Sequence, residues 1–385
     1  MGASAPPPPP PPPPRRRPTN ASAPPRALAF LGLVLVALSA CGAVAGPLAT
    51  ELVRPSFVAS NILYVDTGGA FLEPKSGAFR AAVVNPGKQQ GRFYLAVLHA
   101  PSATVFWSAN RGAPTTSSGP VQLTAQGLTV SDPNGKVLWS TPSQLGSPVS
   151  ALRLQDSGNL QLLGAGNATL WQSFDAATDT LLPGQQLHAD PYLAAAASAT
   201  DLAEGDYRLA ATAADVVLTW QGSTYWRLSN DLQSFKDRNV AVASVSVNAS
   251  GLFAVAADGG LVFRVDLAAG VFPVLKLGYD GRLRNTGYPL VNSSASLGGD
   301  FVAPANDCDL PLQCLPLGLC SPIGDGVCKV GADGGNGWQT VMFGFLMRAR
   351  WLQSSKTILL LASSMPSWTG VKSFMRKCKD HWSSS

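Results

Sequence analysis

The sequence predicts an all-β fold with approximate threefold symmetry, and three observations carry that prediction. Trp107, Trp139 and Trp171 recur at intervals of 32 residues, within Val105-Phe-Trp-Ser-Ala-Asn-Arg111, Lys136-Val-Leu-Trp-Ser-Thr141 and Ala168-Thr-Leu-Trp-Gln-Ser-Phe174. A fixed period of this size marks a repeat architecture, and three large aromatics at equivalent points imply one shared core. Between them lie strand–turn–strand phrases, Val121-Gln-Leu-Thr-Ala-Gln-Gly-Leu-Thr-Val130 and Leu152-Arg-Leu-Gln-Asp-Ser-Gly-Asn-Leu-Gln-Leu162. Apolar and polar residues alternate in both, and Gly127 or the Gly158-Asn159 pair supplies the positive φ that a tight hairpin requires. Helical periodicity is nearly absent outside the two ends of the chain.

The elements follow in order. A proline run from Pro6 to Pro14 has no means of packing. Arg15, Arg16, Arg17 and Arg26 then precede an apolar stretch from Ala27 to about Ala45 that closes on the small-residue site Ala43-Val-Ala45. This pattern reads as a secretory signal with cleavage after Ala45, leaving an extracellular, secreted chain; an uncleaved N-terminal membrane anchor is the alternative. After the Trp-spaced block the hairpin phrase returns in Val245-Ser-Val-Asn-Ala-Ser-Gly-Leu-Phe-Ala-Val255 and Leu275-Lys-Leu-Gly-Tyr-Asp-Gly-Arg-Leu-Arg284, which predicts a second β unit of related build.

Secretion organises the cysteines. Cys308, Cys314, Cys320 and Cys328 are separated by five, five and seven intervening residues, without the close Cys pairs and histidines of a zinc site, so they read as a disulfide-stapled module. Cys378 is left odd. Asn167-Ala-Thr, Asn248-Ala-Ser and Asn292-Ser-Ser are glycosylation sequons at turn-like positions.

Charge distribution narrows the partners. The net charge of +5 resides in the two ends, because residues 46–328 hold sixteen basic against twenty-one acidic groups. A mildly acidic folded part disfavours nucleic acid. An enzyme has little support: the histidines are His99, His188 and His381, with no G-x-S-x-G, no metal-spaced cluster and no implied cofactor.

Trp107-Ser-Ala-Asn-Arg111, Leu154-Gln-Asp-Ser-Gly-Asn-Leu160, Leu170-Trp-Gln-Ser-Phe-Asp175 and Thr178-Asp-Thr-Leu-Leu-Pro-Gly184 are similar to the ectodomain of plant S-domain, or G-type lectin, receptor-like kinases. The resemblance spans about residues 57–328. It implies a bulb-type lectin β-prism of three small sheets over 57–188, an S-locus-glycoprotein-like β domain over 200–302 and a partial EGF-like module over 303–328. It also implies Cys308–Cys320 and Cys314–Cys328 pairing. No resemblance reaches the basic tail, 329–385, which is expected to lie outside the native fold: Val330 stands where the family places another cysteine. Arg348, Arg350 and Lys356 interrupt the tail's apolar patches, and the kinase strings H-R-D and D-F-G are absent.

The family binds mannose through Q-x-D-x-N-x-V-x-Y. Laid on this sequence, the motif falls on Gln155, Ser157, Asn159, Gln161 and Leu163, of which Gln155 and Asn159 match. Asp156 is one residue off register and so belongs to the opposite face of a strand. The earlier copy, Leu123 to Ser131, keeps none of the five. Two functions are therefore expected: a recognition protein holding mannose-type carbohydrate weakly through an eroded site, or a scaffold binding peptide or another S-domain ectodomain as a homo- or heterodimer. In the second case Gln155 and Asn159 simply shape a turn.

Overall fold

The computed structural model describes residues 46–89, 91–267, 272–289, 301–311, 313, 318–320 and 328–330. The leader, the tail beyond 330, Cys314 and Asn292 fall outside them.

Alternating apolar residues fold the first half into three four-stranded antiparallel sheets. Sheet one contains Ala70–Leu72, Phe79–Val84, Tyr94–His99 and Val105–Ser108. In sheet two, Phe57–Ala59 joins Val121–Thr124, Gly127–Ser131 and Val137–Ser140. In sheet three, Leu52–Val53 joins Ala151–Leu154, Leu160–Leu163 and Thr169–Gln172. The first two strands among the described residues thus cross to the sheets formed last, which closes the prism.

The three tryptophans occupy one register position. Trp107 pairs with Val97, Trp139 with Val130 and Trp171 with Leu162, and in each sheet the register breaks just after that pair. Such a break sharpens the local twist and turns each indole inward. Trp107, Trp139 and Trp171 meet one another edge-to-face with centroids 5.8 to 6.0 Å apart. Trp107 is 5% exposed, while Trp139 and Trp171 are only half-buried and pack against the core from its end.

A second threefold device has a weaker sequence signal. The backbone amide opening each middle strand is held by a side chain just past the tryptophan: Leu95 N by Asn110 Oδ1 (2.9 Å), Leu128 N by Thr141 Oγ1 (3.1 Å) and Leu160 N by Ser173 Oγ (3.0 Å). Each removes an orphaned donor from a buried strand end. Gly158 is fixed by both backbone and space. Its φ is +84°, and a Cβ there would stand 2.9 Å from Phe79 Cε1 and 3.0 Å from Leu182 Cδ1.

The second half repeats this topology. Leu193–Ser198, Asp201–Ala211, Val216–Trp220 and Ser223–Arg227 form its first sheet. Leu187–His188 joins Ser234–Lys236, Ser244–Asn248, Gly251–Val255 and Leu261–Asp266 in the second. Thr180–Leu181 joins Phe272–Leu277, Leu283–Tyr288 and Val302–Ala303 in the third. Again the first two strands serve the third and second sheets.

The turns agree as well. Gln155 N bonds Asn159 O at 2.9 Å and Gly158 N bonds Gln155 O at 3.0 Å; Gly278 to Arg282 and Gly281 to Gly278 do the same at 2.8 and 3.0 Å. Trp226, paired with Leu218 just before a register break, stands where Trp107 does, and it meets Phe301 edge-to-face at 6.4 Å. The second β unit is therefore a second three-sheet prism. Its strands begin at Thr180, so sheet pairing assigns 180–188 to the second body and Leu52–Val53 to the first.

Candidate functional site

The hairpin from Gln155 to Leu163 places the five motif residues as follows. Gln155 and Ser157 lie in the turn, where the Ser157 hydroxyl donates to Gln155 Oε1 at 3.4 Å. Asn159 and Gln161 are 4% and 6% exposed, and Leu163 is fully buried. Asn159 Nδ2 donates to Gln172 Oε1 (2.9 Å), while its Oδ1 accepts from Ser173 Oγ (3.3 Å) and Phe174 N (3.4 Å). Gln161 Oε1 accepts from Arg153 Nη2 (3.1 Å), and Gln161 Nε2 reaches Gln172 Oε1 (3.3 Å). Gln172 continues the chain by donating to Asp175 Oδ1 at 2.9 Å. The amides that would bond sugar hydroxyls are thus turned on one another. Among the described residues, Arg153 Nε is a buried donor on this face without a partner. Asp156, facing away, accepts from Ser76 N at 3.1 Å and ties the turn to sheet one.

The register-equivalent faces are poorer still. Tyr94, Ala96 and Leu98 hold the positions in sheet one and are buried; Gly127, Thr129 and Ser131 hold them in sheet two. Neither offers a carboxylate or an amide.

The remaining predicted positions separate into two groups. Cys308 and Cys320 are disulfide-bonded with Cα atoms 5.3 Å apart, and Cys328 pairs with Cys320 across a short ladder. Asn167 and Asn248 are exposed at turns, and Asn248 Oδ1 accepts from both Ser250 N (2.9 Å) and Ser250 Oγ (2.7 Å). Among the described residues no cluster of three metal-capable side chains occurs.

A set of side chains whose bridging role had no sequence signal joins the two prisms. Arg111 Nε, Nη1 and Nη2 donate to the carbonyls of Leu202 (2.7 Å), Ala194 (2.9 Å) and Ala195 (2.7 Å). Lys276 Nζ bonds Val105 O at 2.9 Å and Asp179 Oδ2 at 2.8 Å. Trp107 Nε1 donates to Ala176 O at 2.8 Å. Asp201 accepts from the Tyr94 hydroxyl at 2.7 Å and pairs with Arg92.

This last clasp is linked to pH. The Tyr94 hydrogen bond, with the Ala203 amide and the Arg92 charge behind it, holds the Asp201 carboxyl below the ordinary carboxylate range. Burial first, and then Asp201, pushes Tyr94 from 10.0 up to about 12. A lowered acid contributes stability above its unfolded pKa, about 4, and loses it as pH falls through the folded value. A raised tyrosine contributes below its unfolded value and loses that as pH rises towards its folded one. The stability gap between wild type and Asp201→Asn should therefore be widest near neutrality and shrink below about pH 4. Thermal melts across a pH series measure it, and a gap constant down to acid pH would refute the linkage.

The D-mannose binding lectin family matches residues 104–200, the segment carrying the three tryptophans, the 155–163 hairpin and the entry into the second prism. A G-type lectin S-receptor-like serine/threonine-protein kinase of Arabidopsis thaliana is 38% identical over 279 residues, covering 70% of this chain and 31% of the relative. The chain is similar to the ectodomain part of the G-type lectin S-receptor-like kinases. A second Arabidopsis thaliana kinase of this name, SD2-5, is 27% identical over 292 residues, covering 74% of this chain and 34% of the relative. The chain spans about a third of the length of these two relatives. Among solved structures, a Marasmius oreades lectin is 21% identical, covering 33% of this chain and 92% of that one at a TM-score of 0.25. The described residues are all-β, and the three tryptophan strands of the segment that matches the lectin family belong to the three sheets of the first prism.

Proposed function

We propose that this G-type lectin receptor-like chain is an extracellular recognition protein whose family mannose site, at Gln155, Ser157, Asn159, Gln161 and Leu163, is eroded, so that mannose-type sugar binds there weakly. The observation that carries this reading is the internal pairing of Asn159 and Gln161 with Gln172, Ser173 and Arg153. A sugar hydroxyl would have to displace bonds already made, and the motif's carboxylate is replaced by Ser157. Missing partners in a polar site cost affinity out of proportion to their number, because the remaining groups go unpaired. What the hairpin keeps for a ligand is the Gln155 amide nitrogen and Arg153. Titration of the secreted chain with methyl α-mannoside should give a dissociation constant no tighter than about millimolar. Micromolar affinity abolished by a Gln155→Ala, Asn159→Ala double substitution would overturn the reading. Exposed sequons at Asn167 and Asn248 support the extracellular assignment.

A second reading, a protein-binding or receptor-dimerising scaffold, is supported by one segment of the chain. Leu48, Val58, Ile62, Leu63 and Val65 are 74%, 45%, 61%, 45% and 63% exposed within one short stretch of chain. An apolar stretch of that kind on a secreted protein favours a macromolecular partner.

A further inference from the structure

We propose that the cleft between the two prisms, walled by Trp139, Tyr192 and Glu204, is a second sugar-binding site that takes a neutral pyranose. The proposal builds on the reading of the chain as a recognition protein and is independent of the 155–163 hairpin.

The cleft has a volume of about 330 Å³ and draws on both prisms and the segment joining them. That is the lower end of small-ligand sites and suits one or two sugar rings. Trp139 holds the same register position as Trp107, yet it stays half-buried where Trp107 is 5% exposed. Both indoles line the cleft, but Trp107 is buried with its N–H engaged by Ala176 O, whereas Trp139 keeps a partly bare surface. A large indole left partly bare at a concave site is a platform for the apolar face of a ring.

The second wall is held in place before any ligand arrives. Tyr192 is 38% exposed; its hydroxyl donates to Glu204 Oε1 at 3.2 Å and the Arg208 guanidinium lies 4.2 Å from its ring centroid. Arg208 also reaches Glu204 Oε1, at 3.4 Å. Glu204 Oε2 has no protein partner among these bonds and faces solvent. A carboxylate oxygen of that kind accepts hydroxyl donors through charge-assisted hydrogen bonds. Fixing Tyr192 and Glu204 beforehand lowers the entropy lost on binding.

Charge decides the ligand class. Arg111 lines the cleft, but each of its nitrogens is already given to a backbone carbonyl, so it serves as frame. Two guanidinium groups, Arg111 and Arg208, disfavour a cationic ligand, and the open Glu204 carboxylate disfavours an anionic one. What remains is a neutral, donor-rich ring with one apolar face. A pyranose stacked on Trp139 with two hydroxyls on Glu204 meets all three conditions.

The test is tryptophan fluorescence, with calorimetry, on the full secreted chain titrated with methyl glycosides of glucose, galactose, mannose and N-acetylglucosamine. At least one should give a saturable spectral change. Glu204→Gln should weaken it about tenfold or more, because a charge-assisted acceptor is lost. Tyr192→Phe should weaken it several-fold. Melting temperatures within a degree or two, by design of these conservative changes, separate lost binding from lost folding. A response unaffected by Glu204→Gln overturns the proposal, as does no response to any glycoside. Loss of the response in Gln155→Ala, Asn159→Ala with Glu204→Gln unaffected moves the site to the hairpin and also overturns it. Tighter binding of methyl galacturonoside than of every neutral glycoside overturns the ligand class. None of these results touches the expected weakness of mannose at the hairpin, which its own double substitution tests.

Discussion

Trp107→Ala should lower the unfolding free energy by about 3–5 kcal/mol, the cost of truncating a buried tryptophan. The indole is 5% exposed, stands edge-to-face with Trp139 and Trp171, and spends its one N–H on Ala176 O. Truncation therefore opens a cavity at the prism axis and leaves the Ala176 carbonyl of the joining segment without this donor. Trp139→Ala and Trp171→Ala should cost less, about 1–3 kcal/mol each, because each ring is only partly buried. Urea unfolding of the three variants gives the ranking. If Trp107→Ala proves no more costly than the other two, the axis is not organised as the geometry requires. If all three are silent, the threefold core is wrong.

The same tryptophans explain what was legible in the sequence. A strict period of 32 survives because three equivalent strands must each deliver one indole to one axis. The hairpins were legible at Gly127 and Gly158 because the chain takes a left-handed or strained backbone there, with φ of +142° and +84°. The second prism was legible only as hairpins. Its axis positions fall to Trp226 and Phe301 at another spacing, so chemistry and period changed together while the topology stayed. The edge strands were not legible at all: Leu52 pairs with Arg153 and Phe57 with Leu123, partners too distant for any local pattern.

The site divided in the same way. The motif comparison located the 155–163 hairpin and its missing carboxylate. It gave no hint that Asn159 and Gln161 would be occupied by Gln172, since a side-chain amide pair has no sequence signature beyond the two residues themselves. Gln155 and Asn159 look alike as motif matches, but one lies in an accessible turn and the other is 4% exposed with both ends of its amide bonded. The cleft was invisible because its walls come from residues 107–112, 139, 176–178 and 192–204, brought together only when the prisms dock.

Docking itself yields the last prediction. Arg111→Ala should lower stability by about 3–5 kcal/mol and split a single unfolding transition into two. The guanidinium donates to three backbone carbonyls of the second prism, at 2.7, 2.9 and 2.7 Å, from its place just after the first prism's Trp107 strand. Each is a hydrogen bond from a charged donor, and its removal leaves a carbonyl at the junction without that partner. Among the described residues the joined prisms share no continuous sheet, and the clasps at Arg111, Asp201 and Lys276 add to an apolar junction in which Phe272 meets Phe79 and Tyr288 meets Phe106. Arg111→Lys discriminates charge from geometry. Lysine keeps the cation, but a single ammonium on a flexible stem does not reproduce a planar fork aimed at three oxygens. It should recover less than half of the loss. Differential scanning calorimetry of the wild type and both variants reads the result: one transition in the wild type, two in Arg111→Ala, and a broadened one in Arg111→Lys. A single unshifted transition in Arg111→Ala would show that the prisms are coupled by their apolar contacts alone.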